Sequence, residues 1–460
     1  MTTRSLAAAV GVAVALSLSP VAEGAPDGPL AQQCEPAGST AVAVCYGGDV
    51  VTRDAQAYAE PNRFEPAIHA YEQSSTHRAL GLQYALADDV GLANAPWPGT
   101  HNSFNSIAEE GPSLSDTDAN QQLTLTDQLR LDMRSLELDV HWFPSWRAGG
   151  AYAPVVCHAG AVSEHDGCTT ERLLAPILDE LAIWLHAHHD QVLLLYIEDH
   201  IDSGYPVATA TIKSELGSLV YPTGSSDGTC RKLPTSLTRA DVLAKGAQVV
   251  IVSGCGTGSA WRSVAFDWSN HVEERPHDFQ GWPRCGPDYS RATYDSTLVR
   301  YYEDSTWLTT GAAQFGQASV DDGLTPQTVT AMVRCGVDLF GFDQLQPDDG
   351  RLQALVWSWA QGQPGSRGDC AVMGAGGRWS ASSCKPRHRV ACRAGDGSWT
   401  VPRASVPERG AAAVCADTGA TFAVPRTGYE NELLKAAAGG AAVWLGYVRS
   451  GASWAARDRR

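Results

Sequence analysis

The chain has 460 residues, 43% of them hydrophobic, and a formal net charge of −17. That length favours two domains over one, and that hydrophobic content is enough for a sizeable core. The negative charge argues against binding to nucleic acid or to strongly anionic membranes, although the surface of a soluble secreted protein explains it more simply.

The first 25 residues have the pattern of a secretory signal peptide. Arg4 supplies a positive charge, residues 6–18 are apolar except for Ser17, and small residues follow up to Ala25. The apolar run is too short to span a membrane comfortably, and no other segment reaches that length. We therefore expect a cleaved signal peptide over residues 1–25 and a secreted, extracellular protein without a transmembrane segment in the mature chain. An uncleaved anchor is the alternative.

The 12 cysteines fit export to an oxidising compartment. Their number is even and no Cys-x-x-Cys occurs, which argues against a zinc ribbon and favours disulfide bonds. The spacing does not fix the connectivity. Most of the cysteines fall in pairs that are close in sequence, namely Cys34/Cys45, Cys157/Cys168, Cys230/Cys255 and Cys285/Cys335, with Cys370, Cys384, Cys392 and Cys415 as a last cluster.

Strand-like apolar runs alternate with helical patterns from about residue 30 to about residue 359. The runs cover residues 134–140, 154–158, 191–198, 247–252 and 337–343. Between the second and the third, residues 169–188 indicate a helix, which Pro176 either kinks or delays. A strand, a helix and a buried strand form a βαβ unit with a parallel sheet. Repeated over roughly 300 residues, this pattern predicts a TIM-type α/β barrel. A doubly wound dinucleotide-binding sheet is less favoured, because no Gly-x-Gly-x-x-Gly follows the first strand.

Histidines and oxygen ligands stand at the ends of four apolar runs. In chain order they are His101-Asn102, Glu137 and Asp139, His158, and Glu198. The carboxyl ends of parallel barrel strands meet at one mouth, so we expect these side chains to converge. The histidines suit proton transfer and phosphate contact, and the oxygen ligands suit Ca²⁺ better than Zn²⁺. Each residue alone could be structural, a helix cap or a salt-bridge partner. Their conjunction favours metal-assisted cleavage of a phosphodiester.

This ordered pattern resembles the catalytic X region of the calcium-dependent phosphoinositide-specific phospholipases C. That family carries His-Asn, Glu-Leu-Asp, a histidine before a glycine, and a glutamate inside an apolar strand, on four successive strands. The corresponding residues here are His101-Asn102, Glu137-Leu138-Asp139, His158-Ala159-Gly160 and Glu198. The resemblance covers residues 93–345 in order, with strong motifs only in residues 98–199. In the metal-free bacterial branch of the family, an arginine replaces the metal.

The resemblance implies a role for each of these residues. The implied Ca²⁺ ligands are Asn102, Glu137, Asp139 and Glu198. His101 would contact the phosphate and stabilise the transition state, and His158 would be the general acid toward the diacylglycerol oxygen. The inositol 2-hydroxyl would attack and give a cyclic phosphate, with Glu137 or Asp139 taking its proton.

Two features bear on the substrate and on a further site residue. The lysines of the barrel region, Lys213, Lys232 and Lys245, lie in no recognisable motif. This absence favours an inositol headgroup without ring phosphates or a related phosphodiester. Asp343, at the end of a late apolar run, is either a further polar site residue or a structural carboxylate.

The composition changes after about residue 361, where Gly, Ala, Ser and Arg dominate. Residues 359–393 resemble the second half of a C-type-lectin-like domain, and residues 415–446 resemble its first half, so the order is permuted. That order implies the bridges Cys370–Cys384 and Cys392–Cys415. The sugar-binding calcium motif is degraded, because Gly365 and Ser380-Ala381 stand where Asn or Asp is expected. A structural or protein-binding role is therefore favoured.

The expected protein has a barrel over residues 26–360 and a small disulfide-stapled α+β lectin-like module over residues 361–460. Its expected function is Ca²⁺-dependent cleavage of phosphatidylinositol-type lipids at a membrane surface. The alternatives are an adhesion protein with little or no turnover, and a hydrolase of another phosphodiester such as glycerophosphodiesters. A chain cut after Pro364 is expected to fold and to cleave soluble substrate, unless Trp357 and Trp359 pack against both modules.

Overall fold

The computed structural model describes residues 63–110, 119–158, 168, 172–286, 291–306, 323–337, 339–451 and 453–457. The predicted signal peptide and the Cys34/Cys45 pair lie outside these residues. Within them, no helix is both long and apolar enough to cross a membrane. Ala55–Arg460 cluster as one compact unit.

Helices are short in the described part of the chain, and the early ones cover the sheet. In chain order they are α1 (Glu65–Glu72), α2 (Ser75–Leu86), α3 (Ile107–Glu110), α4 (Leu125–Arg130), α5 (Leu174–Ala187), α6 (Tyr205–Glu215), α7 (Arg239–Ala244), α8 (Ser259–Arg262), α9 (Arg291–Ser296), α10 (Pro326–Arg334), α11 (Gly350–Ala354), α12 (Ala411–Ala416) and α13 (Gly428–Ala438).

Helix α5 lies within the predicted range 169–188, and it begins at Leu174. Pro176 falls in its first turn, where the backbone N–H has no partner inside the helix, so the ring neither kinks nor shortens it. Its apolar residues, Leu181 and Leu185 among them, are buried in one cluster with alternate residues of the sheet. The 3.6-residue period of the sequence therefore places this helix on the outer face of the sheet.

The strands divide between the first 341 residues and the region after residue 369. They are β1 (Ser135–Ser145), β2 (Ala151–Val156), β3 (Arg172–Leu173), β4 (Leu193–His200), β5 (Val249–Ser253), β6 (Ala265–Asp267), β7 (His271–Glu274), β8 (Leu298–Tyr302), β9 (Leu339–Gly341), β10 (Cys370–Met373), β11 (Trp379–Ser382), β12 (Arg389–Val390), β13 (Cys392–Arg393), β14 (Trp399–Thr400), β15 (Thr421–Phe422), β16 (Val443–Ser450) and β17 (Ser453–Ala456).

Two sheets of parallel strands form the frame of the first part. One has the order β3-β2-β1-β4-β5-β6, with β1, β4, β5 and β6 parallel, and the other is the parallel set β7-β8-β9. Residues 97–100 join them through parallel bridges to β1 and β9. Gly99 is needed at this junction, because a Cβ there would lie 2.4 Å from the Ser135 carbonyl oxygen. No ladder between described residues joins β6 to β7. The α/β class is confirmed, and a closed TIM-type barrel stays a prediction.

Strand β2 corrects one part of the predicted topology. Residues 154–158 were expected to be a parallel barrel strand, but β2 pairs antiparallel with β1, with Val140 opposite Val156 and Ser145 opposite Ala151. The short turn after Trp146 returns the chain directly along β1, which leaves no room for a crossover helix. The parallel neighbours on either side of α5 are β1 and β4.

The region after residue 369 is a small α+β module held by disulfides. Its main sheet has the order β11-β10-β16-β12 with β17 on β16, and β14-β13-β15 form a second sheet. The two bridges implied by the permuted order, Cys370–Cys384 and Cys392–Cys415, are both present. The three described sequence-local pairs also form bridges, namely Cys157–Cys168, Cys230–Cys255 and Cys285–Cys335. The lectin-like assignment and the boundary near residue 360 stay predictions.

One apolar core runs through both parts of the chain. Trp357 and Trp359 are 5% and 1% exposed, and they share a buried cluster with Val333 of α10, Trp379 of β11 and Leu434 of α13. The ring centroids of Trp359 and Trp379 lie 5.7 Å apart in an edge-to-face arrangement. Trp357 and Trp359 therefore pack against both parts of the chain, so a cut after Pro364 is expected to destabilise the first part.

Polar contacts reinforce this shared core. The Gln83 Oε1 atom accepts hydrogen bonds from the backbone N–H groups of Trp357 and Ser358 at 2.8 and 3.0 Å. Arg334 makes a two-pronged pair with Glu432, at 2.8 and 2.9 Å. The Arg334–Glu432 pair holds the second module against α10, and the Gln83 hydrogen bonds hold the end of the first part against α2.

We predict that removal of residues 365–460 strongly destabilises the remaining chain. Uncovering Trp357 and Trp359 alone would cost about 4 kcal/mol, at ~25 cal/mol per Å² of apolar surface. Thermal unfolding of the full chain should show one transition, and the truncated chain should unfold at least 10 °C lower or aggregate, at about 2–4 °C per kcal/mol. Two separated transitions, with the truncated chain matching the first, would contradict a shared core.

Candidate active site

His101 and Asn102 leave the segment 97–100 at the edge between the two sheets. The His101 N–H donates to the Phe342 carbonyl at 3.1 Å, which extends the pairing of this segment with β9. Asn102 has φ +42°, a left-handed conformation that asparagine tolerates better than most residues. The resulting turn lets the Asn102 N–H donate to Glu137 Oε2 at 2.9 Å. The two predicted residues therefore lie directly beside the predicted carboxylates.

The three predicted acidic ligands form a carboxylate cluster of Glu137, Asp139 and Glu198. Glu137 and Asp139 are two residues apart on β1, so they face the same side of the sheet, and Asp139 is the cross-strand partner of Glu198 on β4. One oxygen of each carboxylate lies within 4.8 Å of those of the other two. Glu137 and Asp139 are buried, whereas the Glu198 side chain is 44% exposed. The sequence prediction that these residues converge is confirmed for the acids.

Arg300 is a member of the site that the sequence analysis missed. It lies on β8 and is 2% exposed. Its Nη2 and Nη1 atoms donate to the two oxygens of Glu137 at 2.5 and 3.1 Å, and Nη1 also reaches Glu273 at 2.7 Å. Gly341 makes room for it, because a Cβ there would lie 2.7 Å from Nη2. An arginine inside the otherwise apolar strand 298–302 was the available signal.

The cluster contains one carboxylate with a compensating charge and one without. Burial alone would raise the pKa of Glu137, but the Arg300 guanidinium outweighs that effect and lowers the pKa to about 2. Burial, reinforced by the charges of Glu137 and Glu198, raises the pKa of Asp139 well above its ordinary value. The Asp139 Oδ1 atom is buried and has no hydrogen-bond partner among the described residues. Asp139 thus lacks a positive neighbour of its own.

These donors fit a hard cation such as Ca²⁺. The carboxylate cluster supplies three anionic oxygen ligands, and Asn102 adjoins them through its N–H, which donates to Glu137 Oε2 at 2.9 Å. The Asp139 Oδ1 atom is buried without a hydrogen-bond partner among the described residues, as expected of an oxygen that binds a cation. Oxygen ligands, several of them anionic, are the set that Ca²⁺ prefers. The predicted ligands Asn102, Glu137, Asp139 and Glu198 are therefore chemically suited to it.

His101 forms a buried pair with Asp343. The His101 Nδ1 atom lies 3.1 Å from Asp343 Oδ1, and the Asp343 side chain has no exposed surface. Asp343 also accepts hydrogen bonds from the Ser305 N–H at 2.5 Å and from Asn120 Nδ2 at 3.1 Å. Burial opposes a charged imidazole, but Asp343 and then Glu137 outweigh it and raise the pKa of His101. The geometry decides the open question on Asp343, which is a site residue that orients His101.

His158 follows the antiparallel strand β2 rather than a parallel strand end. The N–H of Cys157 donates to the Asp139 carbonyl at 3.1 Å, so the backbone of His158 lies next to that of Asp139. The Cys157–Cys168 bridge fixes the residue just before it. His158 is half-buried. The hairpin therefore returns the backbone of His158 to the neighbourhood of Asp139, and its role as the acid stays a prediction.

Two further histidines line the same sheet edge. His200 Nε2 lies 3.0 Å from Glu198 Oε1, and the His200 and His141 rings stack with centroids 4.5 Å apart. They are cross-strand partners on β4 and β1. Both follow predicted ligands by two residues, so the period of two along a strand was the signal for them. The stacked His200 ring contacts Glu198, the exposed carboxylate of the cluster, and supports its position.

The β1–β2 hairpin carries aromatic side chains into solvent. Trp146 and Tyr152 are 63% and 54% exposed, and the Arg147 guanidinium lies 4.9 Å from the centre of the Trp146 ring. At the base of the hairpin, Trp142 packs on Gly204, where a Cβ would come within 2.5 Å of the indole. The hairpin joins Asp139 to His158, so its exposed aromatics belong to the same end of the sheet as the site.

Comparisons with known proteins agree with this placement. Residues 62–349 match the family model of the Rv2075c PI-PLC-like domain. Two relatives from Mycobacterium tuberculosis, the uncharacterized protein MT2135 of strain CDC 1551 / Oshkosh and the uncharacterized protein Rv2075c of strain ATCC 25618 / H37Rv, are each 43% identical over 401 residues. Those matches cover 84% of this chain and 82% of each relative. All the site residues described above fall inside the region matched by the family model.

Solved structures that resemble this chain include two from bacteria. The phosphatidylinositol-specific phospholipase C from Listeria monocytogenes is 14% identical with a TM-score of 0.40, covering 60% of this chain and 97% of that chain. The F249X mutant of the phosphatidylinositol-specific phospholipase C from Staphylococcus aureus is 13% identical with a TM-score of 0.41, covering 61% and 98%.

We predict that Arg300→Met destabilises the protein by about 3–5 kcal/mol, measured by urea unfolding in the presence of a chelator. The substitution leaves Glu137 buried without its positive partner, and Glu273, whose side chain is 34% exposed, loses the same partner. Adding Glu137→Gln to Arg300→Met should recover part of the loss, because it removes the stranded charge. If the loss of unfolding free energy in the double variant equals the sum of the losses in the two single variants, the pairing of Arg300 with Glu137 is contradicted.

Proposed function

The chain belongs to the family of Rv2075c PI-PLC-like domains, and from this membership we propose that it is a secreted, Ca²⁺-dependent phosphodiesterase that cleaves phosphatidylinositol-type lipids. Its products would be diacylglycerol and a cyclic inositol phosphate. The observation that carries the proposal is the convergence of the carboxylate cluster with the His101–Asp343 pair at one end of the sheet.

Ca²⁺ would be held by Asn102, Glu137, Asp139 and Glu198. When bound, it would supply a Lewis acid that lowers the pKa of the attacking hydroxyl and offsets phosphate charge. The part of the chain that supports this assignment most directly is Asp139, with its unpartnered buried oxygen.

The contacts favour Asp139 over Glu137 as the group that takes the proton of the inositol 2-hydroxyl. Both oxygens of Glu137 already accept hydrogen bonds, from Arg300 and from the Asn102 N–H. The Asp139 Oδ1 atom accepts none from the described residues. A general base needs a free lone pair within hydrogen-bond reach of the proton it removes.

His101 suits the role of phosphate contact in this scheme. Its Nδ1–H donates to Asp343, which also favours the charged imidazolium. The second ring nitrogen then carries a proton that can bond to a phosphoryl oxygen as negative charge develops in the transition state. Asp343 acts through His101, as a positioning residue.

His158 completes the proton balance. As the 2-hydroxyl oxygen bonds to phosphorus, the bond from phosphorus to the diacylglycerol oxygen breaks, and His158 gives that oxygen its proton. Asp139 ends protonated and His158 ends neutral, so one proton must return between them before the next turnover. The backbone proximity of His158 to Asp139 supports this exchange.

The substrate proposed is a lipid without phosphates on the inositol ring. Lys213, Lys232 and Lys245 are exposed. The two arginines near His101 are already paired with acids, Arg300 with Glu137 and Arg275 with Asp304 at 3.0 Å. The exposed Trp146 and Tyr152 support a lipid surface as the site of action, because such rings favour the interface between membrane and water.

We predict that the protein converts phosphatidylinositol to cyclic inositol phosphate with Ca²⁺ and that excess chelator abolishes the reaction, as followed by phosphorus NMR. Asp139→Asn and Glu198→Gln should weaken Ca²⁺ binding, because each removes an anionic ligand. Calorimetric titration would measure that affinity directly. Undiminished turnover in chelator would refute the metal assignment, and a glycerophosphate product without a cyclic intermediate would indicate the alternative phosphodiester substrates.

We predict that His158→Ala lowers turnover by about 10²–10⁴ while changing KM little, because a general acid acts on the leaving group in the transition state. A soluble inositol phosphodiester with a much better leaving group, such as a nitrophenolate, should recover part of that loss. His188→Ala is a matched control, because that histidine follows α5 and bonds to the Trp184 carbonyl. Equal losses on good and poor leaving groups would rule out the acid role.

We predict that Asp343→Asn shifts the alkaline limb of the activity profile to lower pH. Asp343 raises the pKa of His101, so removing its charge lowers that pKa. If the imidazolium is the active form, activity falls as the pH rises through the pKa of His101, and the fall then begins earlier. If Asp343→Asn lowers kcat at every pH but leaves the alkaline limb at the same pH, Asp343 has a purely structural role.

A further inference from the structure

The net charge of −17 conceals an uneven distribution along the chain. Residues 361–460 contain fourteen Lys and Arg but only seven Asp and Glu, out of 34 and 51 in the whole chain. The region before them is therefore strongly acidic and the C-terminal module is basic. A basic module on an acidic enzyme indicates a partner for that module that carries negative charge.

Four of the seven acids of the module are already paired with arginines, namely Asp369, Glu408 and Glu430 within the module and Glu432 with Arg334 outside it. Glu408 lies 2.8 Å from an Arg457 nitrogen, and Glu430 lies 2.7 Å from Arg393. Glu432 is held by Arg334. The surplus positive charge must therefore come from other side chains of the module.

Part of that surplus lies on two neighbouring antiparallel segments, 384–390 and 403–409. His388 and Val406 exchange both backbone hydrogen bonds, at 3.1 and 3.0 Å, and the Glu408 N–H donates to the Cys384 carbonyl at 3.2 Å. The inward positions are filled by apolar or paired residues such as Val390, which is fully buried.

Four basic residues lie on these two segments. Lys385, Arg387 and Arg389 alternate along the first, and Arg409 lies in the 3-10 helix Glu408–Gly410 that ends the second. The hydrogen bond from the Glu408 N–H to the Cys384 carbonyl brings Arg409 beside Lys385 along the backbone. We call these four residues the basic face. Three of them are exposed and Arg389 is half-buried. None of the four makes an ion pair or a side-chain hydrogen bond with a described residue.

The basic face is built on a rigid support. The Cys370–Cys384 bridge fixes the residue just before Lys385, and the Trp444 indole donates to the Val406 carbonyl at 2.9 Å. Glu408, next to Arg409, is buried and paired with Arg457. Like charges held side by side repel one another, so the arrangement is favourable only when an anion is bound across it. Arginine is suited to phosphate, which it can bind with two parallel hydrogen bonds.

We propose that the basic face docks this protein on an anionic phospholipid bilayer, independently of the catalytic site. The choice of a lipid surface rests on the proposed function, whose substrate is itself an anionic phospholipid. The acidic remainder of the chain is repelled by such a surface, so local attraction must be supplied elsewhere. The basic face supplies it. Each basic residue near an anionic bilayer increases binding roughly fivefold.

Two observations favour a bilayer over nucleic acid. No aromatic side chain lies on the outward side of the two segments, and binding to single-stranded nucleic acid without sequence preference usually uses aromatic rings between the basic residues. Trp146 and Tyr152, exposed on the β1–β2 hairpin away from the basic face in sequence, are residue types that favour a membrane interface.

The test is flotation of the full chain with lipid vesicles in the presence of a chelator. Vesicles of phosphatidylcholine alone are compared with vesicles that contain phosphatidylglycerol, so no substrate is present and the catalytic site is not engaged. We expect binding only to the anionic vesicles, and we expect 0.5 M salt to abolish it. The triple variant Lys385→Gln/Arg387→Gln/Arg409→Gln should bind about 100-fold more weakly.

A matched control removes the same charge elsewhere. Lys213→Gln/Lys232→Gln/Lys245→Gln changes three exposed lysines that make no ion pair with a described residue. This control should bind the anionic vesicles within about threefold of the unmodified chain, because distant charges are screened. Equal weakening by both triple variants would overturn the proposal, because net charge rather than the basic face would then govern binding. Tighter, salt-sensitive binding to duplex DNA than to vesicles would also overturn it.

Activity assays separate this proposal from the proposed function. On a soluble inositol phosphodiester the basic-face variant should match the unmodified chain, and on phosphatidylinositol in anionic vesicles it should be slower. If the unmodified chain floats with anionic vesicles but cleaves neither substrate, the docking stands and the proposed function fails. If it cleaves both substrates but does not float with anionic vesicles, the function stands and the docking is refuted.

Discussion

The buried pair of Arg300 and Glu137 is the contact on which the site depends. It joins β8 of one sheet to β1 of the other, and these two sheets also meet through the segment 97–100 and through a shared apolar cluster. By holding Glu137 ionised and fixed, Arg300 also holds the N–H of Asn102, and with it the turn that presents His101. Because Arg300 and the Asn102 N–H occupy both oxygens of Glu137, Asp139 is the carboxylate with an oxygen that accepts no hydrogen bond from the described residues. Removing two charges from water is costly, so such a pair persists where geometry matters more than stability.

A second constraint is the core shared by both parts of the chain. Edge-to-face tryptophans and the Arg334–Glu432 pair make the C-terminal module part of the same packing unit as the first part of the chain. The module therefore cannot be regarded as a flexible appendage. Its basic outer segments are held in a fixed orientation relative to the sheet that carries the site. Any surface that binds the module also restricts how the whole chain tumbles.

The sequence predicted the parts of the fold that depend on local pattern. Helix α5, the buried strands β4 and β5, and the pairing of Asp139 with Glu198 follow from periodicities of 3.6 and 2 residues, which a sequence displays directly. The direction of β2 could not be predicted in this way, because residues 154–158 are equally apolar in a parallel or an antiparallel pair. Arg300 and Asp343 were harder still. Their roles arise from contacts 163 and 242 residues away along the chain, which only the tertiary fold brings together.

The β1–β2 hairpin also determines where this protein tolerates change in length. Asp139 and His158 are placed by the antiparallel ladder between them, whereas the tip around Gly149 and Gly150 has left-handed backbone and open space around it. Residues added at the tip would lengthen the hairpin without moving either group. One residue added within a strand would shift the register by one and turn His158 to the opposite face of the sheet. Homologous chains could therefore differ widely in the reach of this hairpin while keeping the same separation between the residues at the positions of Asp139 and His158.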